Sequence, residues 1–135
     1  MAEHLSLMGI DSLAANETLK DSVMLMFYYL QKDKKDKFLK LWNALLPSLS
    51  EDEKLFLIGE YTNYVYEAGI RNVPSEIMRP LNEMLRRYPS FFAYQTKFFL
   101  KLAENKHEDA REILQTMKKK YKNRKKEIKE LEAFL

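Results

Sequence analysis

Residues 50–69 read SEDEKLFLIGEYTNYVYEAG, a segment with a marked beginning, a helical interior and a marked end. Ser50 and Glu53 have the spacing of a capping box, in which the Glu53 amide donates to the Ser50 hydroxyl and the Ser50 amide donates to the Glu53 carboxylate. The interior repeats at helical spacing, with Leu55, Ile58, Thr62 and Val65 on one face and Leu57, Tyr61, Tyr64 and Ala68 on the next. Gly69 can adopt the left-handed conformation that closes a helix. Gly59 lies inside this helix, where glycine is about 1 kcal/mol less favourable than alanine, so close approach of a neighbouring helix is expected there.

The same periodicity extends in both directions. A first helix is expected to start between Asp11 and Asn16 and run to about Gln31, with Leu19, Val23, Met26, Phe27 and Leu30 on its core face and Met24, Leu25 and Tyr28 opposite. A helix apolar on nearly all sides occupies a bundle centre or supplies a partner surface. Residues 1–15 read as an apolar arm interrupted by Gly9. The charged run KDKKDK at 32–37 turns the chain into a second helix, carrying Phe38, Leu41, Trp42, Leu45 and Leu46 and ending at Pro47. A fourth helix lies between Pro74 and Pro89 with Leu81, Met84 and Leu85. A fifth follows Ser90 with Phe91, Phe92, Tyr94, Phe98, Phe99 and Leu102, and a sixth follows Asn105 with Ala110, Ile113, Leu114 and Met117.

Composition agrees. The 135 residues are 46% apolar and 32% charged, with three glycines, four prolines and no cysteine. Valine, isoleucine and threonine together number 13 against 20 leucines, which is poor in strand formers. The expected fold is all-α: one domain over 1–135, with six to seven antiparallel helices in a partly repeat-like stack of hairpins. A chain of this length buries enough surface to need no disulfide or metal, and no cofactor is expected. No apolar run approaches the 18 or more residues of a membrane span, and the N-terminus lacks the basic-then-apolar order of a signal peptide, so a cytoplasmic location is expected.

The stretch from Tyr94 to Met117, with Phe98 and Leu102 in one helix, the turn Asn105–Asp109, and Ala110 and Leu114 in the next, resembles a tetratricopeptide-repeat hairpin. The two preceding helices, ending at Pro89, are similar in length and placement to an earlier repeat. The resemblance implies that Ala110 is the small residue letting the second helix sit close to the first. It also implies a stack whose concave face holds a peptide or partner helix, as in small secretion-system chaperones. Where the pattern would have an aromatic, a glycine and an alanine, this sequence has Tyr61, Val65 and Ile77.

Catalytic chemistry finds few candidates. His4 lies in the arm and His107 in a turn beside Glu108 and Asp109, whose carboxylates suit the positive end of a helix better than a metal site. Glu60 and Glu67 share a helix face with Tyr64 between them, an arrangement better suited to a solvated face or a basic ligand than to acid–base work. With no phosphate loop, nucleophile motif or zinc spacing, an enzyme is not expected. The expected role is a protein-interaction module, adaptor or chaperone-like, gripping a peptide or partner helix in an aromatic groove built from Tyr61, Tyr64, Tyr94 and Phe98. Met24, Met26, Met78, Met84 and Met117 read as core filling first and as an adaptable surface second.

The C-terminus is the compositional outlier. Up to Met117 there are 15 basic and 17 acidic residues; from Lys118 onward there are 8 and 3. Ala110, Leu114, Met117, Tyr121, Arg124, Ile128, Leu131 and Leu135 follow an alternating four-three spacing, and all but Arg124 are apolar. If the helix continued through Asn123, it would carry a heptad seam for the protein's own body or for a second copy of the chain. On this basic C-terminal helix, 118–135, the residues Lys118, Lys119, Lys120, Lys122, Lys125, Lys126 and Lys129 form a ridge. That ridge is a solvated face, a contact for an acidic protein or anionic surface, or, as the alternative function, a nucleic-acid contact.

Overall fold

The computed structural model describes residues 17–135, with side chains described from Lys20 onward. The N-terminal arm, His4, the start of the first helix and the Leu19 side chain lie outside the described residues. Among the described residues there are seven α-helices and no strand: α1 Glu17–Gln31, α2 Lys35–Leu45, α3 Glu51–Ala68, α4 Ser75–Arg87, α5 Phe91–Ala103, α6 His107–Lys120 and α7 Lys125–Glu132. Single 3₁₀ turns at Leu46–Ser48 and Lys122–Arg124 precede α3 and α7.

Local chemistry fixes the boundaries. The capping box forms, with the Ser50 amide 2.9 Å from Glu53 Oε1 and the Glu53 amide 3.2 Å from Ser50 Oγ. At α5 the Ala93 amide donates to Ser90 Oγ at 3.1 Å. Three helices end by the same left-handed closure. Asp33, Gly69 and Asn105 have φ of 58°, 73° and 64°, and the next residue's amide reaches back five positions: Lys34 to Tyr29 O at 2.8 Å, Ile70 to Val65 O at 3.0 Å, Lys106 to Lys101 O at 2.8 Å. Glycine takes this conformation without strain, and Asp and Asn are the side chains that tolerate it best.

These three closures stand 36 residues apart, a repeat that the apolar spacing alone did not reveal. Each is followed by a four-three stripe: Phe38, Trp42, Leu45; Ile77, Leu81, Met84; Ala110, Leu114, Met117. The first and third stripes begin five residues after the closure, and the second begins eight after it, because the stretch from the closure to Pro74 is four residues longer and the stripe starts one position earlier in its helix. The position filled by Ala110 therefore holds Phe38 and Ile77 in the other two, and all three are buried.

The chain packs as two compact units that divide inside α3, between Glu60 and Tyr61. In the first unit α1 lies on α2 and buries Val23, Met26, Phe27 and Leu30 against Phe38 and Trp42. The Phe27 and Phe38 rings meet edge to face at 6.0 Å, and Phe38 and Trp42 at 5.8 Å. Met24, Leu25 and Tyr28 on the other side of α1 are exposed. In the second unit α4 packs on α5, α5 on α6, and α6 on α7. Phe91, Phe98, Leu102, Ala110, Leu114, Met117, Ile128 and Leu131 form one core cluster.

One expectation is corrected, and one point the sequence left open is answered. A Cβ placed on Gly59 would meet nothing within 4 Å, so among the described residues no helix approaches closely there. The C-terminal helix does not run through Asn123: Tyr121, at φ −122° and ψ 61°, ends α6, and the chain folds back through the 3₁₀ turn into α7. Lys118 Nζ then lies 2.6 Å from Glu132 Oε1, tying the two helices together. The seam is thus folded on itself. Ala110, Leu114 and Met117 meet Ile128 and Leu131 in the same core, leaving no continuous apolar seam for a second copy. The reason lies in Tyr121 and Arg124. The Tyr121 ring fits edge-on against Phe91 at 5.5 Å and Tyr94 at 6.1 Å, and the Arg124 guanidinium stacks 4.5 Å over Phe91. A straight helix would forgo both contacts.

Candidate functional site

The Ser90 cap sets the phase of α5, and that phase puts Tyr94, Lys97 and Lys101 on one face at positions i, i+3 and i+7. On α6 the acidic first turn sets Asp109, Glu112, Ile113 and Thr116 on a matching face. Between them, bordered by Leu85 and Arg86 of α4, runs an open groove of about 580 Å³. Its lining carries three cations, two carboxylates, a phenol, a threonine hydroxyl and two aliphatic side chains. A second depression, about 410 Å³ along Ser75–Arg86, is lined by α4 alone and brings no two elements together.

Charge in the groove is unevenly satisfied. Lys101 Nζ lies 3.6 Å from Glu104 Oε1, and Glu104 Oε2 lies 3.7 Å from Lys106. Lys97 makes no ion pair among the described residues. Partial burial, reinforced by the neighbouring Lys101 ammonium, holds the Lys97 pKa below its ordinary value, and Asp109 only partly restores it. Below this level of the unit, Tyr61 is buried, and burial together with the Glu104 and Tyr64 charges pushes its phenol up to about 12. It therefore stays neutral through the physiological range.

The four aromatic residues expected to share a groove do not do so. Tyr94 lines it. Phe98 is 0% exposed and Tyr61 3%, so both are core, and Tyr64 sits half-buried on α3 away from this lining. The physical reason is register. Phe98 is four residues past Tyr94 and rotated toward α6's buried stripe, whereas Lys97, at three residues, stays on Tyr94's open side. Lys97, Lys101, Asp109, Glu112 and Thr116 are the groove residues that the aromatic pattern passed over. The i, i+3, i+7 relation of Tyr94 to two lysines was the available signal.

The basic ridge is bent with the helix. Lys118, Lys119 and Lys120 close α6, Lys122 lies in the 3₁₀ turn, and Lys125, Lys126 and Lys129 belong to α7; all seven are exposed. Apart from Lys118 with Glu132, none of them makes an ion pair among the described residues. Met26, Met84 and Met117 are buried, as core filling requires. His107 Nε2 lies 3.0 Å from Asn105 Oδ1, and Glu108 pairs with Arg111. Among the described residues no group of three or more His, Asp or Glu side chains converges as a metal site would require. No described helix is long and apolar enough to cross a membrane.

No family model matches the chain, and neither a curated protein nor a solved structure shows detectable similarity to it.

Proposed function

We propose that the chain is a protein-interaction module of tetratricopeptide-like hairpins, and that the groove between α4, α5 and α6 holds a peptide segment of a partner protein. The observation that carries this reading is Lys97: a half-buried ammonium that makes no ion pair among the described residues, beside a second ammonium, in a groove open to solvent. Burial and the second ammonium make the charged form less favourable there than for an ordinary lysine, and an entering carboxylate would favour it. Leu85, Tyr94 and Ile113 offer the apolar area that a neighbouring ligand side chain would cover. Asp109 and Glu112, across the groove, favour a basic or hydrogen-bond-donating group one position along the ligand. The partner is accordingly a peptide with an acidic residue flanked by an aliphatic or aromatic one. An adaptor or chaperone role is the biological form this takes.

Selection of peptides from a displayed random library on the full-length chain tests the proposal. The expected outcome is enrichment of acidic–apolar peptides whose binding is abolished by Lys97→Glu and weakened about tenfold or more by Tyr94→Ala. Peptides that bind equally well to both variants would place recognition elsewhere and overturn the assignment.

A further inference from the structure

The break at Tyr121 gathers features that are far apart in a straight helix. From Lys118 to Lys126 the chain holds seven basic residues and no acid. Of these, Lys119, Lys120, Lys122, Lys125 and Lys126 are exposed and make no ion pair among the described residues. Lys125 and Lys126 open α7, the positive end of a helix, where stability alone would call for acids. Repulsion among these cations and with the helix end is therefore built in, and Glu127, paired with Arg124, and Glu132, paired with Lys118, offset only part of it.

The same end of the unit presents aromatic rings. Arg124 stacks over Phe91 at 4.5 Å and Phe92 at 5.8 Å, which fixes the lysine-bearing turn against the start of α5. Phe92 remains 45% exposed even so, and Tyr88, four residues before it in the chain, is 61% exposed. Exposed rings beside unpaired cations are the two parts of a surface for unstacked bases on a phosphate chain. A purely acidic segment would use the cations and leave the rings idle, and a duplex would do the same, because its bases are already stacked.

We propose that this end of the second unit, with Lys119, Lys120, Lys122, Lys125 and Lys126 on the phosphates and Phe92 and Tyr88 under the bases, binds single-stranded nucleic acid. It shares no residue with the α4–α5–α6 groove, so either site can fail without the other.

Fluorescence anisotropy of the full chain with a labelled oligouridine of about 20 nucleotides tests this at about 50 and 200 mM salt. Five lysines on five phosphates predict a log–log salt slope of about −3.5, hence roughly a hundredfold loss of affinity over that range. Lys125→Gln with Lys126→Gln should make the slope shallower by about 1.4. Phe92→Ala and Tyr88→Ala should each weaken binding about fivefold or more without changing the slope. Tyr88 is the more exposed of the two, and circular dichroism of both variants separates lost binding from lost structure. Absence of binding at the lower salt would overturn the proposal. So would duplex of equal length binding as tightly, phosphatidylserine vesicles binding in preference to the oligonucleotide, or ring variants that bind as the parent does.

Discussion

Alanine at Gly59 and alanine at Gly69 should shift stability in opposite directions. The two glycines begin from equal ground: an added Cβ meets nothing within 4 Å at either position. Neither substitution can clash, and neither gains packing. What differs is the backbone, because Gly59 lies inside α3 whereas Gly69 holds φ at 73°. At position 59 the helix-propensity difference acts alone, and Gly59→Ala should stabilise by about 1 kcal/mol. At position 69 the left-handed conformation disfavours alanine by roughly 1–2 kcal/mol, partly offset by about 0.4–1 kcal/mol from the stiffer unfolded chain, for a net loss near 1 kcal/mol. The pair should therefore differ by about 2 kcal/mol. Urea unfolding followed by circular dichroism reads this as midpoints displaced to either side of the parent's with the slope unchanged. A destabilised Gly59→Ala, or shifts of the same sign, would refute the reasoning, since it would mean that space rather than backbone conformation governs one of the sites.

Phe98→Ala should destabilise by about 3–5 kcal/mol, as a fully buried ring does, while Tyr94→Ala should fall well below that; equal losses in denaturant unfolding would return Phe98 to the groove. Ser50→Ala removes the capping-box acceptor and should lower stability by about 0.5–2 kcal/mol, measured the same way. Tyr61, raised to about 12 in the folded chain, contributes stability that is fully present below pH 10 and lost as pH rises through 12, up to about 2–3 kcal/mol. Tyr61→Phe should flatten the fall in stability across that window, and an unchanged profile would show the phenol to be ordinary. Peptide binding through Lys97 needs its protonated form, so affinity should fall with rising pH earlier than an ordinary lysine would dictate, and Lys97→Arg should remove that early fall in a titration by calorimetry.

The helices were legible because their signals are local. Ser50 with Glu53, Ser90 with the Ala93 amide, and Gly69 at a helix end are all settled within a few residues, and α3 spans the residues its pattern indicates. The site was less legible because it depends on which side of a helix faces away from a neighbour. Tyr94 and Phe98 are both aromatic at helical spacing, yet one lines the groove and the other is 0% exposed. Periodicity cannot separate them without knowing where α6 lies. The heptad spacing from Ala110 to Leu135 left the path of the chain open for a related reason. The same stripe is satisfied by one straight helix or by two that fold together, and the choice rests on the contacts of Tyr121 and Arg124 with Phe91, far away in sequence. Gly59 shows the converse limit: an interior glycine marks a lost side chain, without saying whether anything fills the space.

The principal helix contacts, α1 with α2, α4 with α5, α5 with α6 and α6 with α7, join elements consecutive in the chain. That feature bears on how quickly the protein assembles. Chains whose contacts are mostly local form their native pairings after closing only short loops, and helical proteins of this kind fold in microseconds to milliseconds. The left-handed closures at Asp33 and Asn105 are in place as soon as their own helices form, so the α1–α2 and α5–α6 hairpins can each nucleate without waiting for distant segments. During synthesis the α1–α2 hairpin can therefore bury its aromatic side chains while the remainder of the chain is still being made.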